Sequence, residues 1–138
     1  MKQLEKIYIN NISIHGSPFD VSKFRNLFEY REKKDGFLFP QFDSFICTPK
    51  AAMTDSIDDW KERVRGFTIC VSITIIDEAD HIVCYDIITR GGALTLFFAK
   101  TSKFFPSLTF DILIRTGKEQ EEEWYAINDG VVKIYDEE

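Results

Sequence analysis

The chain has 138 residues, a net charge of −6 and 44% hydrophobic residues. This length suits one domain with one core, and the apolar share is too high for an intrinsically disordered chain. No run of about 18 apolar residues occurs, and the first residues lead into an alternating stretch, so we expect neither a membrane span nor a secretion signal. The composition predicts a single cytoplasmic domain over residues 1–138, and the 13 phenylalanines predict an aromatic core.

The first half of the chain begins with a predicted strand over residues 7–14. Its apolar residues change parity at Asn10-Asn11, which predicts a bulge or a bend there. Ser17 as N-cap and Pro18 at the first helical position predict a helix over about Pro18–Tyr30. Residues 31–56 predict an irregular arm rich in phenylalanine and interrupted by proline, and a short helix is expected around Trp60–Val64.

The second half shows clean alternation from Phe67 to Ile75, then a turn at Asp77–Asp80 and a second strand over residues 82–89. Apolar residues at helical spacing from Leu94 to Phe105 predict an amphipathic helix. A strand over residues 108–114 follows, and then a hairpin around Asn128-Asp129-Gly130. This order predicts an α+β fold: a ferredoxin-like antiparallel sheet with two main helices on one face, plus a C-terminal hairpin.

The cysteines and histidines do not form a recognisable site. Cys47, Cys70 and Cys84 are an odd number without C-x-x-C spacing, and the last two fall out of register on the predicted hairpin, so free thiols are expected. Neither His15 nor His81 stands at ligand spacing from a cysteine, so we expect no metal and no cofactor. An enzyme that uses Cys47 or a histidine remains an alternative that needs these residues to converge.

The negative charge is concentrated at the C-terminal end. Residues 118–138 hold eight acidic residues against two lysines, whereas residues 1–117 are balanced. Such an end predicts a protein partner with a basic surface, and it makes direct nucleic-acid binding less favourable. The candidate partner-binding residues are Glu119, Glu121, Glu122, Glu123, Asp136, Glu137 and Glu138.

Two short segments support an alternative. Residues 7–12 resemble the first-strand motif of RNA-recognition domains, and residues 65–69 resemble the start of their second motif. Such domains stack bases on aromatic residues that project from the sheet. The alternative is therefore a single-stranded RNA-binding domain that uses Tyr8, Arg65 and Phe67. Two observations argue against this alternative: the long interval between the two segments and the negative net charge of the chain.

Five short segments carry a resemblance to a known family: Asn11-Ile12-Ser13-Ile14-His15-Gly16, Asp20-Val21 with Phe24, Phe45-Ile46-Cys47-Thr48-Pro49, Ile87-Ile88-Thr89 and Phe104-Phe105-Pro106-Ser107-Leu108-Thr109-Phe110. Together they resemble the YubB-type ferredoxin-like family of small plasmid- and phage-borne proteins. One tryptophan-rich segment of that family is represented here only by Asp59-Trp60-Lys61 and Gly66, and a second is replaced by Arg90-Gly91-Gly92-Ala93. The resemblance implies a fold and an origin in a mobile genetic element, and no catalytic residue can be transferred.

From these features we expect a non-enzymatic binding protein, specifically an inhibitor of the anti-CRISPR or anti-restriction type. Its acidic residues would compete with phosphate for the basic nucleic-acid-binding surface of a host defence protein. Edge strands and the phenylalanine-rich arm can each support dimerisation, so the sequence leaves the oligomeric state open.

Overall fold

A computed structural model describes residues 6–31, 38–40, 42, 66–67, 69–116 and 121–134. The short helix expected around Trp60–Val64 and the third cysteine, Cys47, lie outside these residues. The elements in chain order are β1 (Ile7–His15), α1 (Pro18–Phe28), β2 (Glu29–Arg31), β3 (Leu38–Pro40), β4 (Ile69–Ala79), β5 (Ile82–Arg90), α2 (Thr95–Thr101), a 3-10 turn (Ser102–Phe104), β6 (Thr109–Thr116), β7 (Glu121–Asn128) and β8 (Val131–Ile134).

Six strands form one antiparallel sheet in the order β4-β5-β1-β6-β7-β8, and β2 pairs with β3 in a separate ribbon. The buried residues of α1 and α2 belong to the same core cluster as alternate residues of β1, β5 and β6. Both helices therefore cover the same face of the sheet. The predicted α+β class is confirmed, and the sheet is larger than the four-stranded sheet of a typical ferredoxin-like domain.

Helix α1 starts where its capping residues predict. The Ser17 Oγ accepts a hydrogen bond from the Asp20 N–H at 3.3 Å, and Pro18 occupies the first turn. The predicted helix is two residues too long, because the backbone becomes extended at Glu29 and pairs with β3. The arm predicted as irregular thus contributes a short ribbon.

The core is aromatic, as expected. Among the described residues eight phenylalanines are buried, and their rings meet mostly edge to face. Phe24 of α1 contacts Phe110 of β6 with ring centroids 5.7 Å apart, and Phe28 contacts Tyr85 of β5 at 5.4 Å. Such contacts add to the stabilisation from burial and hold α1 against the centre of the sheet.

The bulge predicted at Asn10-Asn11 is wrong, because β1 pairs with β5 and β6 without a register shift. Asn10 instead lies fully buried on the helix-covered face. Its Nδ2 donates to the Ile87 carbonyl at 2.9 Å and to the Thr89 Oγ1 at 3.1 Å, and its Oδ1 accepts from the Leu94 N–H at 3.0 Å. These bonds satisfy a polar side chain where the pattern led us to expect an interruption.

Strand β4 departs from its predicted alternation. Register shifts occur between Cys70 and Ser72 and between Ile75 and Asp77, so Ile69 and Ile73 lie on opposite faces. The turn to β5 falls at Asp80-His81, later than predicted. Cys70 and Cys84 are not paired across the hairpin, and both are free thiols.

Two tight backbone features are explained by glycine. At the junction of β5 and α2, a Cβ on Gly92 would lie 1.6 Å from the Gly66 carbonyl oxygen, so this close approach excludes larger residues. The predicted C-terminal hairpin turns at Asp129 and Gly130, which have φ values of 47° and 80°.

Neither helix in the described part of the chain has the length and apolar character needed to cross a membrane.

Candidate functional site

The face of the sheet opposite α1 and α2, here called the uncovered face, carries an apolar patch. Ile9 of β1 and Ile88 of β5 are directly paired, and Ile7 and Ile69 lie beside them, on either side of Arg90. These four residues are here called the isoleucine patch. Ile7, Ile9 and Ile69 are 49%, 36% and 50% exposed, values that are high for large apolar residues. Exposed apolar patches with polar rims often mark interaction sites.

Next to the isoleucine patch, the uncovered face carries hydrogen-bonded polar pairs. The Asn11 Nδ2 donates to the Asp86 Oδ1 at 3.0 Å. The His15 Nε2 lies 3.0 Å from the Asp111 Oδ2, and the Ser13 Oγ lies 3.3 Å from the Cys84 Sγ. The histidine is therefore paired with a carboxylate, and the hydroxyl is paired separately with a thiol. Nucleophilic catalysis would need one nucleophile within reach of the base.

Among the residues that the structure describes, no group of three or more His, Cys, Asp or Glu side chains is arranged to hold a metal ion. His81 is exposed in the turn between β4 and β5, where its carbonyl accepts from the Gly16 N–H at 3.1 Å. The two histidines therefore lie near the same end of the sheet. The convergence of either with Cys47 falls outside the described residues.

A groove of about 670 Å³ lies between the outer side of α1 and the turn that joins β4 to β5. It is here called the α1 groove. Helix α1 supplies one wall and the turn supplies the other, so its residues come from segments more than 40 residues apart. The lining residues are Pro18, Val21, Ser22, Arg25, Asn26, Glu29, Glu78, Ala79 and Asp80.

An ion-pair network forms the inner wall of the α1 groove. The Arg25 guanidinium contacts the Glu29 carboxylate at 2.5 Å and 3.2 Å, and it reaches the Glu78 Oε2 at 2.5 Å. The buried Tyr85 hydroxyl donates to the Glu29 Oε2 at 2.5 Å. The hydrogen bond to Glu29 raises the pKa of Arg25 above its usual value, and burial raises the pKa of the Tyr85 hydroxyl.

The charges of the α1 groove do not balance. Among the described residues that line it, three carry a carboxylate, namely Glu29, Glu78 and Asp80, and one, Arg25, carries a guanidinium. The Glu78 side chain is 51% exposed, whereas that of Glu29 is 9% exposed. The rim of the groove is therefore negatively charged and accessible, whereas the ion pairs with Arg25 hold its inner wall in place. Sequence reasoning missed this site, and the only signal for it was the acidic run Asp77–Asp80, which was interpreted as a turn.

The acidic residues predicted near the C-terminal end do not form one patch where they are described. The segment expected as a connection is already β7 from Glu121 onward, so neighbouring side chains alternate between faces. Glu122 lies on the uncovered face, 3.2 Å from the Arg115 Nε. Glu123 lies on the opposite face, where the Tyr125 hydroxyl donates to it and the pKa of Tyr125 rises to about 12. The side chain of Glu121 lies outside the described set, as do the residues Glu119, Asp136, Glu137 and Glu138.

Of the predicted RNA-stacking residues, the structure describes Tyr8 and Phe67, and both pack in or against the core. Phe67 is only 2% exposed and contacts Phe42 and Phe97 in the core. Tyr8 has the same parity as the buried residues of β1 and packs against the core. Neither ring therefore projects from the uncovered face, and Arg65 lies outside the described residues. The aromatic residue that sequence reasoning missed is Trp124, which is 45% exposed and pairs with Leu113 on the uncovered face.

Comparisons with known proteins give no relative for this chain. No family model matches it, and neither the curated proteins nor the solved structures contain a significant match. The resemblance to the YubB-type family therefore stays a prediction, and the candidate sites are argued from their own geometry.

Proposed function

We propose that this chain is a non-enzymatic binding protein that receives a basic side chain of a protein partner in the α1 groove. The observation that carries the proposal is the excess of carboxylates there, three against one guanidinium. Arg25 is already bound by Glu29 and Glu78, so it does not neutralise Asp80. An incoming lysine or arginine would gain charge-assisted hydrogen bonds at the exposed rim.

The partner class follows from the same charge. A chain of net charge −6 is attracted to basic surfaces, and carboxylates can occupy positions that phosphates otherwise take. We propose that the partner is the basic nucleic-acid-binding surface of a host defence protein, as in inhibitors of the anti-CRISPR or anti-restriction type. The resemblance to plasmid- and phage-borne proteins supports this assignment, and it implies action in the cytoplasm of a bacterial host.

We also propose a ferredoxin-like plan for the central part of the fold. The order β4-β5-β1-β6 supports it, with α1 following β1 and α2 following β5. In this assignment, β7 and β8 extend one edge of the sheet beyond the usual four strands.

The test is affinity capture from bacterial lysate with matched charge variants. A partner that binds the α1 groove is retained by the wild type at low salt and released at high salt. The variant Glu78→Gln with Asp80→Asn should lose it. The control Glu122→Gln with Glu123→Gln removes the same charge from β7 and should retain it. If the control loses the partner and the groove variant retains it, the partner binds at the acidic C-terminal end instead. If both variants retain the partner equally, the proposal is refuted.

A second candidate function is the binding of single-stranded RNA on the uncovered face. Trp124 favours it, because a half-exposed indole near Arg115 can stack a base while the guanidinium contacts phosphate. Each stacked base contributes about 1–3 kcal/mol. Fluorescence titration with mixed oligonucleotides tests this function: binding should weaken in Trp124→Ala, and no binding at low salt excludes it.

A further inference from the structure

We propose that the α1 groove is specific for arginine, and that an arginine of the partner replaces Arg25 at the Glu78 carboxylate. This inference rests on the proposed function, because it names the basic side chain that the groove receives. Arg25 then occupies Glu78 only while the partner is absent, and the exchange of one guanidinium for another is the binding event.

The first argument is the way in which Arg25 divides its contacts between the two walls of the groove. Its Nε and Nη2 both bond to the Glu29 carboxylate, at 2.5 Å and 3.2 Å, and Glu29 follows it by four positions in the sequence. Its Nη2 also reaches across the groove to the Glu78 Oε2 at 2.5 Å. Arg25 is therefore bound twice on its own side of the groove and once on the other side.

The second argument is the difference in solvent exposure between the two carboxylates. The Glu29 side chain is almost buried and also accepts a hydrogen bond from the Tyr85 hydroxyl, so it is held from two directions. The Glu78 side chain is half exposed, and an ion pair at such a position is weak because water and salt screen it. The contact with Glu78 therefore breaks first, and Arg25 stays bound to Glu29 when it does.

The third argument is the cation that Glu78 already binds. Its Oε2 accepts from a guanidinium of the chain itself, so the position suits this group in particular. Asp80 lies on the same wall two residues further on, is exposed, and has no side-chain partner among the described residues. A guanidinium carries several N–H donors in one plane and can bond to both carboxylates, and it is less strongly hydrated than an ammonium group. We therefore expect arginine to bind more tightly than lysine.

The contact between Arg25 and Glu78 also limits the affinity of the groove. It neutralises one of the two carboxylates on the turn before any partner arrives, so an incoming cation must compete with Arg25. Because an exposed ion pair is weak, this competition lowers the affinity by no more than about fivefold. It acts most strongly against cations that bind a carboxylate less well than a guanidinium does.

The test is an NMR titration of the isotope-labelled full chain at low salt with two probes of equal charge, N-acetylargininamide and N-acetyllysinamide. The arginine probe should shift the backbone amide signals of Glu78 and Asp80, and it should do so at a several-fold lower concentration than the lysine probe. The Arg25 Nε–H signal reports the bond to Glu29 and should keep its position throughout the titration.

Three variants test the exchange itself. Arg25→Gln removes the internal competitor and should lower the dissociation constant of the arginine probe by about two- to fivefold. Glu78→Gln removes the carboxylate and should raise it. Glu122→Gln is the matched control, since Glu122 is also a half-exposed glutamate paired with an arginine, and it should leave the constant unchanged. Circular dichroism verifies that each variant folds.

The outcomes separate this inference from the proposed function. Equal affinity for the two probes, an affinity that does not rise in folded Arg25→Gln, or a large shift of the Arg25 Nε–H signal overturns the exchange and leaves the proposed function in place. If Arg25→Gln does not fold, the comparison of the two probes on the wild type and on Glu78→Gln decides. If neither probe shifts the signals of the groove, the proposed function fails as well.

Discussion

The two faces of the six-stranded sheet differ in chemistry although the same strands build them. The helix-covered face buries side chains such as Phe110 and Ile112 completely. The uncovered face mixes half-exposed isoleucines with polar pairs such as Asn11 with Asp86. The comparison teaches that one face supplies the stability of the fold, and that the other remains available for recognition.

Adjacent asparagines show the difference most directly. Asn10 points to the covered face, where three groups from β5 and the start of α2 bond to it. Asn11 points to the uncovered face and donates to Asp86 at a half-buried position. On the covered face, asparagine therefore links β1 to β5 and to the start of α2. On the uncovered face, the same residue type makes one hydrogen bond at the surface. Four predictions test this contrast, from the largest expected effect to the smallest.

Phe28→Ala should lower the free energy of unfolding by about 3–5 kcal/mol, because Phe28 is fully buried and contacts Phe24 and Tyr85. Urea denaturation measures the loss. Phe19→Ala is the matched control, since Phe19 is exposed, and its effect should stay within about 0.5 kcal/mol. Equal losses in the two variants would contradict the placement of the core.

Asn10→Ala should cost about 1–3 kcal/mol, because it leaves the Leu94 N–H and the Ile87 carbonyl without their partner inside the core. Asn11→Ala removes one half-exposed bond to Asp86 and should cost less than about 1 kcal/mol. The comparison uses urea denaturation of both variants at equal protein concentration. A larger loss for Asn11→Ala would mean that the faces are assigned the wrong way round.

Cys70 gives a pH-dependent prediction for the covered face. Burial raises the pKa of its thiol from 9.0 to about 11, although a backbone hydrogen bond with Ser72 acts in the opposite direction. The folded chain therefore keeps this proton at a pH at which the unfolded chain has lost it. The contribution to stability is complete below pH 9.0 and is lost as the pH rises to about 11.

The measurement is urea denaturation of the wild type and of Cys70→Ala across that pH range, under reducing conditions. The difference in unfolding free energy between them should change by something on the order of 1 kcal/mol as the pH rises. Cys70→Ala also leaves a cavity, but this cost is independent of pH. A difference that stays constant from pH 9.0 to 11 would show that the thiol is not shielded from water.

Glu122→Gln should have the smallest effect. Glu122 and Arg115 are each about half exposed, and an ion pair of this kind contributes only about 0–1 kcal/mol. We expect a loss of less than about 0.5 kcal/mol in the free energy of unfolding, and a smaller one at high salt. A loss comparable to that of Asn10→Ala would indicate that the uncovered face contributes strongly to the stability of the fold.

The sequence by itself determined the local elements. Ser17 and Pro18 start α1 where predicted, because a capping hydroxyl and a fixed φ act within one turn. Asp129 and Gly130 form the predicted turn, because both adopt the positive φ that it requires. The helical spacing from Leu94 to Phe105 correctly gave the buried side of α2. Each of these signals depends on neighbours within a few residues.

Only the tertiary structure decided which face of the sheet the helices cover and where the α1 groove forms. Asn10 lies in a straight strand because its partners come from Ile87, Thr89 and Leu94, and no local pattern contains those contacts. The α1 groove exists because Arg25 meets Glu78, 53 positions away in the sequence. Periodicity assigns side chains to alternate faces, but it does not state which face the helices cover. That choice depends on the summed burial of distant residues, which is fixed only when the chain has folded.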